Sequence, residues 1–549
     1  MTQRTYGEGE TVDFVIVGSG AAGGVLAKEL ATAGFSVVVL EAGPWQQPSQ
    51  FTHDELAVER ENAMLNLAFE PIQTIRGSEA EPARRNAGRA LAYRRGVGGS
   101  SVHFAANYWR FRPVDFKERS KWGPISGSGF ADWPLTYEEL EPYYTKVDWE
   151  IGVSGAPGPF DPPRSRAYPL PPLPNKSSGV LLERAARALG LHAQPSPLAI
   201  LSKQYDGRSP CLACGHCSLY GCEFGAKSST LATVIPKAVA TGKCEVRAES
   251  TAFRVETNTK GRATGVMYWD REGKERRQRA RAVIVAANGA ETTRLLLLSA
   301  SSAFPQGLAN SSGNVGRYIM FNGHASTFGR FDHPLNEYKG PVASRTVHDF
   351  YDADAKRGFY GGGGIDARFN YQPIGFALGV LPDDVPTWGP EYKRALADYF
   401  THSVRFYAHI TSLPVASNTV TLDHDHPDRW GRPGLCLTYT DHPDDMKAKQ
   451  WFRDRTEELM HAAGATRVWT QPILPIDGGV HLLGTARMGD DPRESVVDRY
   501  HRAHDVPNLF ICDGSNFVTS GRGQPTMTIQ ALAFRAAEHI GRLARSHEI

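Results

Sequence analysis

The sequence predicts a parallel-sheet α/β domain combined with an α+β domain that contains an antiparallel sheet. Two observations indicate this fold class. Near the N-terminus, an apolar run over 14–17 is followed by closely spaced glycines and a helical pattern from 25 onward, the order of a strand–turn–helix unit. In the second half, alternating apolar and polar residues, as in 404–413, are typical of strands with one buried face.

Composition excludes several classes of protein. The 549 residues include 61 Lys+Arg and 59 Asp+Glu, a net charge of +2, which argues against a protein that binds nucleic acid. No apolar run reaches the roughly 18 residues of a membrane span, so we expect no integral membrane segment. The N-terminus shows no signal-peptide pattern. Cytoplasm is therefore the default location, with export to the periplasm alongside a signal-bearing partner as the alternative.

The N-terminal glycines predict a dinucleotide site. Gly18, Gly20 and Gly23 follow the G-x-G-x-x-G order between a strand and a helix. In this pattern the first glycine permits a tight turn, the second lets backbone approach a pyrophosphate, and the third lets the helix lie close to the sheet. A second strand over 36–40 ends in Glu41, placed to bind a ribose hydroxyl. The unit is therefore Rossmann-like, the alternative being a merely tight βαβ turn.

A second stretch of small residues follows at 94–104. Gly98, Gly99, Ser100 and Ser101 leave room for a bulky planar group to lie against backbone. Taken alone, an ordinary glycine turn would explain the stretch equally well.

Motifs near the C-terminus identify a family resemblance. These are the His-x-x-Gly-Thr pattern at 481–485, a segment over 506–515 and a segment over 523–533 that leads into an amphipathic helix. Together with the N-terminal glycines, 132–144 and 314–320, they resemble the glucose–methanol–choline (GMC) family of flavin oxidoreductases. Within that family the chain is similar to the flavin subunits of fructose, glucose, gluconate and glucoside 3-dehydrogenases.

The resemblance implies a fold and a reaction. The GMC fold joins a Rossmann-like FAD-binding domain to an antiparallel-sheet substrate domain, and its members pass hydride from an alcohol to flavin N5. His481 occupies the position of the base, and a neutral imidazole with a pKa near about 6.5 suits that role. Gln524 stands where the family has His or Asn. Its amide offers a donor and an acceptor to substrate but no base, and the alternative is that it bonds backbone.

The resemblance also implies which residues bind FAD. His103 has two interpretations, a covalent bond to the flavin ring or plain packing against it. The cofactor-binding set is Gly18, Ser19, Gly20, Ala21, Ala22, Gly23, Glu41, Ala42, Arg95, Gly98, Gly99, Ser100, Ser101, His103, Ala106, Asn107, Ala287, Asp513, Gly514, Thr526 and Met527.

Four of the seven cysteines crowd into one loop. Cys211, Cys214, Cys217 and Cys222 are spaced by two, two and four residues, and clustered thiolates suit a soft metal. The ferredoxin-type run is one residue shorter and ends in proline. Similar dehydrogenases carry a three-iron cluster in a comparable loop, which favours 3Fe-4S over 4Fe-4S and leaves one cysteine spare. Zinc, structural thiols and a disulfide are the alternatives.

The family pattern also implies how the chain is divided. We expect an FAD-binding domain from 1–120 with further parts at 206–320, which includes the cysteine loop, and at 472–549, which carries the catalytic residues. An intervening segment over 121–205 contains a proline-rich connection, and the substrate domain spans 321–471. The glycine run over 361–364 is predicted to form a flexible rim loop.

The function predicted from these motifs is an FAD-dependent dehydrogenase. It would oxidise a secondary hydroxyl of a sugar, glycoside or sugar acid to a ketone, with neutral glycosides slightly favoured. Electrons would leave through the cluster to a partner, with a small subunit and a cytochrome c-type acceptor as candidates. Three alternatives remain open: an oxidase using dioxygen, a lyase with structural FAD, and a non-catalytic electron-transfer subunit.

Overall fold

The computed structural model describes residues 4–60, 73–85, 91–473 and 479–549. The strands are β1 Thr11–Val17, β2 Val37–Leu40, β3 Gln73–Arg76, β4 Arg84–Arg85, β5 Ala193–Pro195, β6 Cys244–Arg247, β7 Thr251–Thr257, β8 Ala263–Trp269, β9 Glu275–Val285, β10 Gly323–Arg330, β11 Ala343–Val347, β12 Gly363–Arg368, β13 Ser403–Ile410, β14 Thr419–Pro427, β15 Pro433–Thr438, β16 Arg467–Thr470 and β17 Leu509–Ile511.

The helices are α1 Ala21–Thr32, α2 Glu55–Arg60, α3 Glu118–Trp122, α4 Tyr137–Ile151, α5 Ser177–Ala188, α6 Val234–Ala240, α7 Asn288–Leu298, α8 Pro373–Gly379, α9 Gly389–His402, α10 Pro443–Ala462 and α11 Thr526–Arg545. Within the described ranges, every helix is too short or too polar to cross a bilayer.

A seven-stranded sheet forms the α/β part, in the order β6-β2-β1-β9-β8-β7 with β17 also paired to β9. The pairs among β6, β2, β1, β9 and β17 are parallel, and β7 and β8 add an antiparallel edge. The central stretches of the parallel strands, 14–17 of β1, 282–285 of β9 and all of β2 and β17, are apolar and buried, as expected for strands covered on both faces. Helix α1 packs on β1, β2 and β6, and α11 packs on α1 and α4, so that both helices contribute buried residues to the same hydrophobic cluster as the sheet.

Two glycines fix the first strand–helix connection. Gly18 has φ +93°, and a side chain there would meet the carbonyl oxygen of Ala286 at 2.5 Å. A Cβ on Gly23 would fall 1.9 Å from the carbonyl oxygen of Gly18, so only glycine lets α1 pack this close to β1. These are two of the roles that the glycine motif predicts.

The second sheet is antiparallel, in the order β16-β10-β13-β12-β11-β5. Along β13, Phe406, Ala408 and Ile410 are buried in a cluster with residues of α5 and α10. The alternating residues of β13 lie on the opposite face, away from that cluster. The two sheets confirm the predicted combination of an α/β and an α+β fold.

Three details differ from the sequence-based expectations. β12 begins at Gly363, and 361–364 is buried and paired with β13, so the predicted flexible rim loop is wrong. Glycine is required there by close packing, because a Cβ on Gly364 would lie 2.9 Å from Trp109. β5, from the intervening segment, joins the antiparallel sheet, and β3 joins a small third sheet with β15. The domain boundaries themselves stay a prediction.

A buried ion cluster anchors the segment ahead of α11. The Arg522 guanidinium donates to Asp115 at 2.8 Å and pairs with Glu118, and the side chains of all three are fully buried. Arg522 also donates to the Tyr351 carbonyl at 3.0 Å, and the Tyr351 hydroxyl donates to Asp115 at 2.7 Å. The cluster therefore ties the C-terminal motif to 113–118 and to the segment between β11 and β12.

Replacing this arginine should destabilise the protein strongly. Arg522→Met leaves two carboxylates buried without their cation, and we expect the free energy of unfolding to fall by about 3–5 kcal/mol. Urea unfolding followed by circular dichroism measures the change. Arg493→Met is the matched control, because its pair with Asp491 is exposed, and it should leave the urea midpoint unchanged. A variant at 522 as stable as the wild type would contradict the assignment.

Candidate active site

One cavity of about 470 Å³ lies between the two large sheets. Residues that follow β1, β2, β9 and β17 line one side of it, which places it at the carboxyl ends of the parallel strands. Ligands of open α/β sheets bind at this edge. Side chains of β10, β12 and β13 line the other side.

Most of the predicted site residues reach this cavity. Four of them do not line it: Ser19, Gly23, Gly98 and Met527. Those that do line it are Gly18, Gly20, Ala21, Ala22, Glu41, Ala42, Arg95, Gly99, Ser100, Ser101, His103, Ala106, Asn107, Ala287, His481, Asp513, Gly514, Gln524 and Thr526.

The N-terminus of α1 faces the cavity. Gly20 caps the helix without a side-chain hydrogen bond, and the first helical residues, Ala21 and Ala22, line the cavity wall. Free amide groups and the positive end of the helix dipole make this a site for an anionic group. The geometry fits the phosphates of a dinucleotide.

Glu41 is held by the protein itself. Its carboxylate accepts hydrogen bonds from the Ser19 hydroxyl at 2.7 Å and the Ser19 amide at 3.1 Å. It also accepts from the amides of Gly43 at 3.0 Å and Gly96 at 3.1 Å. Burial raises the pKa of Glu41 even though these bonds favour the charged form. Glu41 therefore ties the glycine turn to the 96–99 loop, and its contact with a ribose stays a prediction.

The loop over 98–107 packs tightly on the glycine turn. A Cβ on Gly99 would lie 2.8 Å from the Cα of Gly20, and the amide of Gly98 donates to the Ser19 hydroxyl at 3.0 Å. His103 is buried, and its Nδ1 has no hydrogen-bond partner among the described residues. Burial, followed by the nearby charges of Arg94 and Lys227, holds the pKa of His103 well below its usual value. A neutral, unpaired imidazole at the cavity wall fits a site completed by a bound flavin.

Residues after β9 and β17 close another side of the cavity. Asp513 accepts hydrogen bonds from the amide of Asn288 at 3.0 Å, the hydroxyl of Thr292 at 2.6 Å and the amide of Ser515 at 2.8 Å. Arg95 pairs with Glu291 at 3.2 Å on the first turn of α7. These bonds fix the backbone around the cavity before any cofactor binds.

His481 lies at the cavity wall with Asn322 against its ring. Its Nδ1 is 2.7 Å from the Asn322 amide, which has two usable orientations. With the amide oxygen toward the ring, Nδ1 carries the proton and Nε2 has a free lone pair. With the amide nitrogen toward the ring, Asn322 also bonds the backbone of Gly523 at 3.1 and 3.3 Å, and Nε2 carries the proton. Asn322 therefore selects the tautomer of His481.

The imidazole of His481 is neutral. Burial is the main cause, and the nearby groups His324, His409 and Arg368 add to it, so that the pKa of His481 lies well below its usual value. A neutral imidazole next to an open cavity is the protonation state that a proton acceptor requires.

The structure adds a polar network that sequence reasoning missed. Asp366 accepts from Arg368 at 2.6 Å and lies 3.0 Å from Nε2 of His409. Asn107 donates to the same carboxylate at 3.0 Å, so the network reaches the loop over 98–107. The amide nitrogen of Gln524 lies 3.0 and 3.1 Å from the two ring nitrogens of His409.

The network has little net charge. Burial alone would raise the pKa of Asp366, but Arg368 and His409 hold it below its usual value, so the carboxylate is ionised and balances the guanidinium. Burial lowers the pKa of His409 to about 3, so that imidazole is neutral. This wall of the cavity can donate and accept hydrogen bonds without presenting an uncompensated charge.

The alternation of residues along β13 is a sequence pattern that could have indicated this network. Arg405, Tyr407 and His409 alternate along β13 and share one face, and the opposite face is apolar. The register pairs His409 with His324 on β10 and with Gly364 on β12. The polar face of a buried sheet, rather than any short motif, would have indicated these residues.

The cysteine loop lies beside the main cavity. Cys211, Cys214, Cys217 and Cys222 line a separate small cavity together with Lys227, and all four thiols are free, so the disulfide alternative is wrong. On its other side the loop contributes Ser218 and Leu219 to the main cavity, and the Leu219 amide donates to the His103 carbonyl at 2.8 Å. The loop therefore touches both cavities.

Comparison with known proteins identifies the family. The chain is similar to 2-methyl-1,2-propanediol dehydrogenase of Mycolicibacterium austroafricanum, with 34% identity over 97% of this chain and 96% of that protein. It is also similar to the fructose dehydrogenase large subunit of Gluconobacter japonicus, with 29% identity over 96% and 98%. Pyridoxine 4-oxidase from Mesorbium loti has the same fold, with a TM-score of 0.67 and 18% identity over 97% and 99% of the two chains.

Family models of GMC oxidoreductases match the N-terminal part over residues 12–317 and the C-terminal part over residues 414–533. The matched ranges include the glycine turn, the loop over 98–107, the cysteine loop and His481. The chain therefore belongs to the GMC oxidoreductase family and is an FAD-dependent enzyme acting on alcohol- or sugar-type CH–OH groups.

Proposed function

We propose that the chain is a dehydrogenase that oxidises a secondary hydroxyl of a neutral sugar or glycoside to a ketone. The observation that carries this proposal is the half-buried, neutral imidazole of His481, which faces a polar wall without net charge. Bound FAD would supply the acceptor for the hydride at N5. The same wall disfavours a sugar acid, because Arg368 is already paired with Asp366 and a substrate carboxylate would find no free cation there.

His481 would take the proton of the substrate hydroxyl at Nε2. This requires the Asn322 oxygen toward Nδ1, the orientation that gives up the bonds to Gly523, so that Nδ1 donates to the amide and Nε2 keeps its lone pair. Burial keeps the imidazole neutral before substrate binds, so Nε2 can accept a hydrogen bond from the substrate hydroxyl and take its proton as hydride leaves.

Gln524 would orient the substrate rather than exchange protons with it. Its amide lies against His409, and His409 is fixed by Asp366. The amide therefore reaches the cavity from a rigid support, which is what a group that positions a hydroxyl needs. This explains how an amide can stand where relatives in the family have His or Asn.

Electrons would leave through the cysteine loop. Lys227 is 2% exposed, and its ammonium donates to the carbonyls of Cys217, Tyr220 and Phe104 at 2.5, 2.7 and 3.1 Å. Burial lowers the pKa of Lys227 to about 8 and raises that of Cys217 to about 12. An iron–sulfur cluster on three of the four loop cysteines would place negative charge beside this buried cation. A small subunit and a cytochrome c-type protein are the proposed onward acceptors.

Removing the imidazole tests the catalytic role of His481. His481→Ala should slow reduction of the bound flavin by the preferred sugar about 10²–10⁴-fold, the range for loss of a general base. Anaerobic stopped-flow absorbance with a panel of sugars, glycosides and diols measures the rate. His461→Ala, an exposed histidine of α10, is the control and should leave the rate unchanged.

Two outcomes would contradict this function. Flavin that no alcohol or sugar bleaches would favour the lyase or electron-transfer alternatives. Stoichiometric hydrogen peroxide in air, with no advantage for added dyes, would favour an oxidase.

Replacing Asn322, the partner of the His481 ring, should shift the pH dependence of the flavin-reduction rate. The proton acceptor is active when unprotonated, so the acid limb of flavin reduction follows the pKa of His481. Asn322→Asp places a carboxylate on Nδ1, which should raise that pKa by about 1–3 units and shift the acid limb to higher pH. The rate of anaerobic flavin reduction between pH 4 and pH 9 measures the shift, with Asn418→Asp as a control away from the ring. Identical profiles would show that Asn322 does not control His481.

Removing the buried thiol of Cys217 tests whether electrons leave through the cysteine loop. Cys217→Ser should remove iron and slow delivery of electrons to an artificial acceptor, while flavin reduction by sugar stays unchanged. Iron and sulfide assays and steady-state dye reduction measure the two effects. Cys436→Ser, a buried cysteine of β15, is the control. An iron-free wild type with full dye activity would rule out the cluster.

A further inference from the structure

A second group of potential ligands lies next to the cysteine loop. One ligand atom each of His53, Cys214 and His216 lies within 4.8 Å of the other two. His53 comes from the segment just before α2, and the other two come from the cysteine loop, so the group joins two separate stretches of chain. In the described part of the chain, this is the one such group of three.

Tight backbone packing builds this arrangement. A Cβ on Gly221 would fall 2.1 Å from the ring of Phe51, so the segment that carries His53 lies directly on the loop. Gly215, between the two loop ligands, has φ +90°, and a Cβ there would meet the Tyr338 carbonyl oxygen at 1.9 Å. Glycine is therefore required for the turn that brings Cys214 and His216 to the same side.

The two imidazoles lie against each other. The rings of His53 and His216 stack with centroids 4.3 Å apart and an interplanar angle of 4°, so one ring has to rotate before a nitrogen of each points at the same ion. Nδ1 of His216 is buried and, among the described residues, has no hydrogen-bond partner. Glu223 lies 3.8 Å from Nε2 of His53, where a carboxylate can orient the ring and leave the other nitrogen free.

We propose that His53, Cys214 and His216 bind one divalent cation of the zinc class, separate from any cluster on Cys211, Cys217 and Cys222. Two imidazoles and a thiolate suit zinc and similar borderline-soft metals, whereas calcium and magnesium require oxygen ligands. At metal–ligand distances of about 2.0–2.3 Å, tetrahedral ligand atoms lie about 3.3–3.6 Å apart, so atoms within 4.8 Å of one another would close by at most about 1.5 Å. Because Cys214 is exposed, solvent supplies the fourth position.

A metal bound at this site would hold the segment before α2 against the cysteine loop. It also identifies Cys214 as the cysteine that a three-iron cluster leaves spare, since its sulfur belongs with the two histidines. The three ligands of the proposed zinc site line the same small cavity as the other three thiols and Lys227, so the two metal sites would be neighbours. The proposed zinc site does not depend on the redox reaction, because the geometry of its three ligands alone supports it.

Metal analysis of the purified FAD-containing protein tests the proposal. After incubation with Zn²⁺ and desalting, the wild type should retain one zinc per chain by mass spectrometry. Cys214→Ser and His216→Ala should each lose it, and Glu223→Gln should weaken zinc binding about 10- to 100-fold. His192→Ala and Cys222→Ser are the matched controls and should keep the zinc.

Cobalt binding provides a second, spectroscopic readout of the site that does not require an activity measurement. Co²⁺ at this site should give a thiolate-to-metal charge-transfer band that Cys214→Ser removes and Cys222→Ser retains. Retained flavin absorbance shows that each variant is folded. Wild-type protein that holds no zinc, or a band that depends on Cys222, would overturn the proposal. Iron and zinc lost together in every cysteine variant would also overturn it, in favour of a single cluster on all four thiols.

Discussion

The buried carboxylate of Asp366 is the interaction on which both sides of the active cavity depend. It accepts hydrogen bonds from Asn107 on the loop over 98–107 and from Arg368 on its own strand, and it holds His409 of the neighbouring strand. One charge therefore joins the loop over 98–107 to the wall of the cavity formed by β12 and β13. Its loss would leave the Arg368 guanidinium buried without a partner, a costly state in a low-dielectric interior.

The same carboxylate explains how several histidines share one cavity. His324, His409 and His481 all line it, and three imidazolium ions there would repel one another. Burial lowers the pKa of His409 to about 3 and that of His481 well below its usual value, while Asp366 balances Arg368. This wall of the cavity is therefore polar but nearly uncharged, an environment in which a neutral base and an uncharged polyol are compatible.

Sequence reasoning succeeded where function depends on local motifs. The turn at Gly18, the strand ending in Glu41 and the segment around His481 are each encoded by neighbouring residues with a fixed spacing. Asp366, Arg368 and His409 come together only through the register of β12 and β13, which no short motif specifies. The glycines at 361–364 were misread for the same reason, because it is packing against Trp109 and His348, distant in sequence, that requires them. His53 and His216 also needed tertiary contacts to be recognised.

The cysteine loop connects the redox chemistry to its surroundings in two ways. Its backbone bonds the His103 carbonyl through the Leu219 amide, and Lys227 bonds the carbonyls of Phe104, Cys217 and Tyr220. A change of charge on the thiols therefore acts on Lys227 directly, and any movement of the loop reaches the residues that line the main cavity. Under the proposed function, proton transfer at His481 and electron exit at the loop would take place at different parts of the lining of the same cavity.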